Sequence, residues 1–155
     1  MKHFWCVLLV VCFVSAQPIQ TEPSKDWSWS SSIGFSSEKI AISFYDVSIL
    51  YNIDENSELY GTLTTIGFVS GIGLGYKYYI GGKSKSSIFA NTGSQIYITN
   101  DPLDAGAALS TAAGLSMKKT GGKTSFNIGI SLLFLFEEYN DGELLIPFIN
   151  LQRRL

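Results

Sequence analysis

The sequence is poor in the side chains that carry most enzyme chemistry. It has two cysteines, Cys6 and Cys12, and one histidine, His3. All three lie in a stretch that reads as a targeting segment. Lys2 and His3 give a short positive start, Phe4 to Val14 is apolar, and Val14-Ser15-Ala16 precedes a cut at Gln17. The apolar run is too short to span a membrane as a helix. Cys12 raises the possibility of a lipoprotein, but Val11 is a poor fit just before a lipidated cysteine, a position that favours a small residue. Residues 1–16 therefore read as a cleaved signal peptide. The expected mature chain, from Gln17, contains neither cysteine nor histidine. That excludes disulfides, thiol nucleophiles, a Ser-His-Asp triad and the common zinc sites. The mature chain also lacks a basic excess. Without Lys2, ten Lys and Arg face thirteen Asp and Glu, which argues against nucleic acid as a partner. No helical pattern of useful length follows residue 17.

What is present is a period of two. In GIGLGYKYYIGG, Gly71 to Gly82, the bulky residues Ile72, Leu74, Tyr76, Tyr78 and Ile80 alternate with Gly73, Gly75, Lys77, Tyr79 and Gly81. Trp27, Trp29, Ile33 and Phe35 alternate with Ser28, Ser30, Ser32 and Gly34. Phe126, Ile128, Ile130, Leu132, Phe134 and Phe136 alternate with a face that holds Ser125, Asn127, Gly129 and Ser131. Such alternation reads as strand. Turn-forming residues interrupt it at 52–57, 81–86, 100–102, 120–122 and 140–142. The pattern predicts eight strands, near 26–36, 39–51, 58–67, 71–81, 86–99, 104–118, 124–138 and 144–154. In the second, Ile40, Ile42 and Phe44 lie on one parity, whereas Val47, Ile49 and Tyr51 lie on the other. A β-bulge near Phe44–Asp46 repairs the phase, and a loop there is the competing account.

The less bulky face decides the architecture. A soluble sandwich or ligand-holding barrel alternates apolar with charged residues. Here the alternate residues are mostly Gly, Ser, Ala, Asn and Thr, and most charges fall in turns. This suits a closed barrel with a narrow lumen of small side chains and a bulky face toward lipid. A membrane strand needs about 9–11 residues, which these runs supply. Closure also removes the edges that long apolar strands leave open to aggregation. Trp27, Trp29, Tyr76, Tyr78, Tyr79, Tyr97 and Tyr139 lie near strand ends, where aromatic rings favour the membrane–water boundary. The fold class expected is all-β: a closed, antiparallel, up-and-down transmembrane β-barrel of about eight strands. Its domain runs over 26–155, after a short lead at 17–25.

With its leading segment, the GIGLGYKYYIGG strand, the Lys/Ser turn after it and the closing LIPFINLQRRL, the chain resembles the small outer-membrane β-barrel proteins of Gram-negative bacteria. The resemblance implies insertion by the outer-membrane assembly machinery. Members of that family usually end in an aromatic residue, where this chain has Arg153-Arg154-Leu155.

Other motifs weigh little. Gly71-x-Gly73-x-Gly75 lacks the following helix of a dinucleotide site. Gly82-Lys83-Ser84 and Gly122-Lys123-Thr124 lack the earlier glycine of a phosphate loop, since Lys77 and Met117 stand there. Glu137-Glu138 and Asp101 with Asp104 are carboxylate pairs that read as solvated loop tips. No catalytic, metal or cofactor site is expected. Lys77, Asn127 and Ser131 are the polar residues expected in the lumen. For Lys77 the plain reading is an ion pair or a side chain snorkelling to the rim, and the sharper one a selectivity charge.

The expectation is thus a non-enzymatic, monomeric outer-membrane barrel with a structural or surface-interaction role. Its partners are outer-membrane lipids, lipopolysaccharide and, during insertion, the assembly machinery. The alternatives are a soluble periplasmic barrel binding a lipid or other apolar ligand, and a narrow pore. With the N-terminus in the periplasm, the turns near 52–57, 82–85 and 119–123 are periplasmic. The loops near 36–38, 68–70, 100–103 and 139–143 are then external.

Overall fold

The computed structural model describes residues 27–37, 43–66, 69–83, 86–99, 105–118, 122–136 and 142–155. Residues 1–26, with the expected signal peptide and lead, lie outside the described residues. The alternating runs form eight strands: β1 (Trp27–Ser36), β2 (Ser43–Asn52), β3 (Ser57–Thr65), β4 (Val69–Ile80), β5 (Ser87–Thr99), β6 (Ala105–Lys118), β7 (Thr124–Phe136) and β8 (Gly142–Arg154). Each pairs antiparallel with its sequence neighbours, and β8 pairs with β1. The fold is a closed, all-antiparallel, up-and-down β-barrel. Local chemistry makes the tight connections. Asp54 Oδ1 accepts from the amides of Asn56 and Ser57, each at 2.7 Å, and so folds the β2–β3 turn. At the end of β4, Gly81 and Gly82 have φ of 92° and 95°, a region that residues with a Cβ avoid.

The second strand explains its own broken phase. Phe44 and Tyr45 are both exposed between buried Ser43 and Asp46. The sequence places a bulge here in β2. The pairing puts the extra residue in β1 instead, where the register shifts between Ile33 and Ser36. Gly34 sits at that shift with φ 133°, and a Cβ there would lie 2.5 Å from the carbonyl oxygen of Ile149 on β8. Ile40 and Ile42, expected in the second strand, lie outside the described residues.

The two faces of the sheet have opposite character. Outward are large apolar side chains from every strand, among them Ile33, Ile49, Leu63, Leu74, Ile96, Leu115, Ile130 and Leu145. Inward are hydroxyls, amides and charges, including Ser30, Ser48, Thr62, Lys77, Gln95, Asn127 and Asn150. The inner face is not the small-residue lining that the composition suggests. Leu50, Tyr60, Tyr79, Phe89, Tyr97, Leu133 and Phe148 are also buried inside.

Register reconciles these large residues with the many glycines. Tyr60 pairs directly with Gly75, and a Cβ on that glycine would meet the Tyr60 ring at 2.3 Å. Tyr97 is flanked by its cross-strand partners Gly71 and Gly106, and a Cβ at Gly106 would meet its ring at 2.2 Å. One row around the barrel reads Phe89, Gly114, Gly129, Phe148. The Phe148 ring leans over the glycine pair, and its centroid lies 6.1 Å from that of Phe89. Gly75, Gly106, Gly114 and Gly129 are therefore seats for neighbouring rings, whereas the space over Gly71 is taken by the Gln95 side chain.

Stagger gives the rings their room. The paired residues Ser30, Ser48, Thr62, Gly73, Gln95, Ala108, Leu135 and Gly142 trace one circuit. On β8, however, Ser30 pairs with Arg154, twelve residues along from Gly142, so the circuit closes with a stagger of twelve. At a fixed number of strands, a larger stagger tilts the strands further and widens the barrel. The lumen is accordingly wide enough for a packed interior.

This packing predicts a contrast between two glycine substitutions. At Gly129 a Cβ would stand 2.2 Å from the carbonyl oxygen of Ala113 and 2.6 Å from Phe148. Gly129→Ala should destabilise the folded barrel by about 1–3 kcal/mol through overpacking. Outward-facing Gly61 has only Leu74 Cδ2, at 3.5 Å, so Gly61→Ala should change stability by no more than about 0.5 kcal/mol. Urea unfolding midpoints of the two refolded variants provide the comparison, and equal midpoints would contradict the ring-seat account.

Candidate functional site

Charge inside the barrel gathers at the end where the β2–β3 and β4–β5 turns lie. Glu58, 1% exposed, begins the inward row of β3 and pairs directly with Lys77 of β4. Two donors take separate oxygens of its carboxylate. Tyr79 Oη donates to Oε1 at 2.9 Å, and Arg154 Nη2 donates to Oε2. Arg154 is the last residue of β8, and β1 and β2 lie between that strand and β3. The ion pair therefore ties non-adjacent strands across the lumen. Lys77, also 1% exposed, places its Nζ 3.8 Å from the Phe89 ring centroid and 5.0 Å from that of Tyr79. The charged layer thus rests on the aromatic row.

Lys83 and Lys118 complete this mouth. Lys83 Nζ donates to Asn52 Oδ1 and to the Ser57 carbonyl, both at 2.9 Å. Lys118 Nζ donates to the Lys83 carbonyl at 3.0 Å. Burial pushes the Lys83 amine below its ordinary range, partly offset by the nearby Glu58 carboxylate.

Deeper in the lumen the contacts are mostly between neutral groups. Ser32 and Ser48 donate to Asp46 Oδ1 at 3.0 and 3.3 Å. Asn127 Nδ2 donates to Asn150 Oδ1 and to Gln152 Oε1, at 3.0 and 3.3 Å, and Gln152 Nε2 continues to Ser30 Oγ at 3.0 Å. Ser131 Oγ donates to Ser37 Oγ at 2.7 Å. These bonds satisfy polar groups that are costly to bury alone.

The residues singled out in the sequence fall in separate places. Lys77, Asn127 and Ser131 are buried in the lumen but belong to three different networks. Trp27 and Trp29 are exposed on the outer surface, and Tyr76 and Tyr78 are half-buried on that same face. Tyr139, the Glu137-Glu138 pair, Asp101 and Asp104 lie outside the described residues. Two tyrosines expected at the membrane boundary are instead internal. Tyr79 is turned inward by parity with Lys77 and holds Glu58, while Tyr97 lies between Gly71 and Gly106. Sequence reasoning also passed over Glu58 and Arg154. The available signal was that Glu58 shares the parity of Tyr60 and Thr62, and so faces inward one hairpin away from Lys77. No group of three His, Cys, Asp or Glu that could hold a metal occurs among the described residues.

The ion pair predicts an asymmetry between breaking it and replacing it. Glu58→Gln leaves Lys77 and Arg154 near a neutral amide and should cost about 3 kcal/mol, tempered by the partial exposure of Arg154. The double change Glu58→Gln with Arg154→Gln should cost less than Glu58→Gln alone. Unfolding midpoints of the refolded variants read this out, and a double variant no more stable than the single one would contradict the pairing.

No family model and no curated protein matches this chain. Among solved structures it is similar to the outer membrane protein Ail of Yersinia pestis, whose backbone structure was determined in a phospholipid bilayer nanodisc. The two are 12% identical, the match covers 84% of this chain and 100% of that one, and the TM-score is 0.43.

Proposed function

We propose that the protein is a membrane-spanning barrel of the bacterial outer membrane, with a filled lumen and a structural or surface-interaction role. The observation that carries this reading is the inversion of the two faces. Leu74, Leu145, Ile33 and Ile72 are 70%, 69%, 62% and 60% exposed on the outside, while Lys77, Glu58 and Asp46 are 1% exposed on the inside. In water an exterior of this kind invites association. In a bilayer it meets hydrocarbon, and closure satisfies the strand backbones. The strands are 9 to 14 residues long, enough to cross hydrocarbon at a tilt. Trp27 packs on Tyr51 with ring centroids 4.8 Å apart, an arrangement suited to the interfacial belt.

The interior argues against the two alternatives. A soluble carrier of an apolar ligand needs an apolar cavity and a wet exterior, the reverse of this distribution. A pore needs an open path, whereas the Arg154–Glu58 pair and the Phe89–Phe148 row cross this lumen. In this proposal the protein is a monomer, inserted by the outer-membrane assembly machinery and surrounded by phospholipid and lipopolysaccharide. The turns at 52–57 and 82–85 face the periplasm.

The test is behaviour in membranes. After extraction, the protein should migrate differently on a detergent gel before and after boiling, and it should give no steady conductance in planar bilayers. Recovery in the soluble periplasm would contradict the membrane reading, and stepwise conductance would favour the pore. At residue scale, Ile130 is 53% exposed and faces outward beside inward Gly129 and Ser131. Ile130→Arg should destabilise the inserted barrel by about 2–4 kcal/mol if it lies near mid-membrane. A lipid-phase quencher should reach a probe at position 130, and failure to reach it would overturn the facing.

A further inference from the structure

We propose that the turn-side mouth of the barrel binds an oxyanion of the phosphate class, held by Lys83, Lys118 and Arg154. The first ground is charge balance. Lys77, Lys83, Lys118 and Arg154 converge on one internal carboxylate, Glu58, and Arg154 and Tyr79 occupy its oxygens. Asp54 is the other acid acting on Lys83, and its Oδ1 is engaged by two turn amides. The second ground is the partners of the two lysines. The ammonium groups of Lys83 and Lys118 are bonded to uncharged oxygens, those of Asn52, Ser57 and the Lys83 carbonyl itself. These bonds hold two like charges near each other against their repulsion, and neither is neutralised by the acceptor that positions it.

The third ground is access. Lys83 and Lys118 are half-buried, and the Arg154 side chain is 21% exposed, so solvent reaches the cations while the aromatic row closes the floor behind them. A mouth of net positive charge with low-dielectric walls concentrates counter-ions. Two ammonium groups and a guanidinium match the several acceptor oxygens of a phosphate, which forms stronger bonds to charged donors than a halide does. The packing that positions them is local. Lys83 N donates to the Glu55 carbonyl at 3.0 Å, and Tyr79 N donates to the Asn56 carbonyl at 2.6 Å, so the two turns brace each other. The anion can be free phosphate or the headgroup of a phospholipid. The inference goes beyond the membrane reading and does not require it, because the mouth is built from the chain alone.

The test uses the full barrel refolded in an uncharged detergent, with inorganic phosphate as the probe and chloride at matched ionic strength as the control. Phosphate should raise the unfolding midpoint saturably and broaden its own phosphorus resonance, and chloride should do neither. Lys83→Gln with Lys118→Gln should weaken the response at least about ten-fold. Asp54→Asn keeps the oxygen that caps the turn but removes a competing negative charge, so it should strengthen the response. An equal effect of chloride, or an undiminished response in the double variant, would overturn the site. If the double variant does not refold, Asp54→Asn decides, and an unchanged or weaker response overturns it. In nanodiscs, a phosphate response that disappears only with phosphatidylglycerol present identifies the lipid headgroup as occupant. A response equal in phosphatidylcholine and phosphatidylglycerol identifies the free anion.

Discussion

The interior depends on the direct cross-strand pairing of a ring with a glycine. Tyr60 lies on Gly75, Tyr97 on Gly106, and Phe148 over Gly129 and its neighbour Gly114. Each pair needs one register and no other, because a slip of one residue turns the ring to the outside. These pairs therefore do more than fill space. They specify which residues of β3 to β8 face each other, and so where every inward polar group meets its partner. The twelve-residue stagger around the barrel is the geometric consequence, and it supplies the width that the rings occupy.

On that floor stands the charged layer. Lys77 lies over the Phe89 ring, Glu58 beside Lys77, and Arg154 reaches Glu58 from the far side of β1 and β2. Burying charge in this way is costly unless the partners are held in place. Here Tyr79, itself packed on Phe89, holds one oxygen of the carboxylate while the guanidinium takes the other. The ion pair also joins the last strand to the third, so the mouth is complete only in the closed sheet. Polar groups are enclosed in the lumen, and the exterior carries large aliphatic side chains. That division is what a bilayer asks of a protein surface.

The fold was legible in the sequence because the period-two signal is local. Alternating runs separated by turn residues specify the strands, with a parity break in the second and a weak pattern in the third, and the parity of Ile72 and Leu74 separates them from Gly73 and Gly75. What was not legible depends on register. In β5, Phe89 and Tyr97 are as bulky as Ile88, Ile96 and Ile98 on the other parity, so bulk alone does not tell the faces apart. Tyr79 and Tyr97 sit near strand ends and so read as interfacial rings. Only the glycines opposite Tyr97, and the carboxylate within reach of Tyr79, reveal their inward direction. The bulge was displaced for a related reason. β2 changes phase at Phe44–Tyr45, where its own sequence shows it, but the extra residue of the β1–β2 pairing lies in β1 at Gly34, and only the register reveals that. The charged mouth needed both register and closure, since Arg154 and Glu58 are 96 residues apart in the chain.

The most direct test of this account is a nuclear magnetic resonance measurement on the barrel in lipid nanodiscs. Protons on the α-carbons of Gly75, Gly106 and Gly129 should be displaced upfield by the ring currents of Tyr60, Tyr97 and Phe148, and each displacement should vanish when its own ring is replaced by leucine. Ordinary strand shifts at these three glycines, or displacements indifferent to the ring opposite, would contradict the claim that ring-on-glycine pairing sets the register of the barrel.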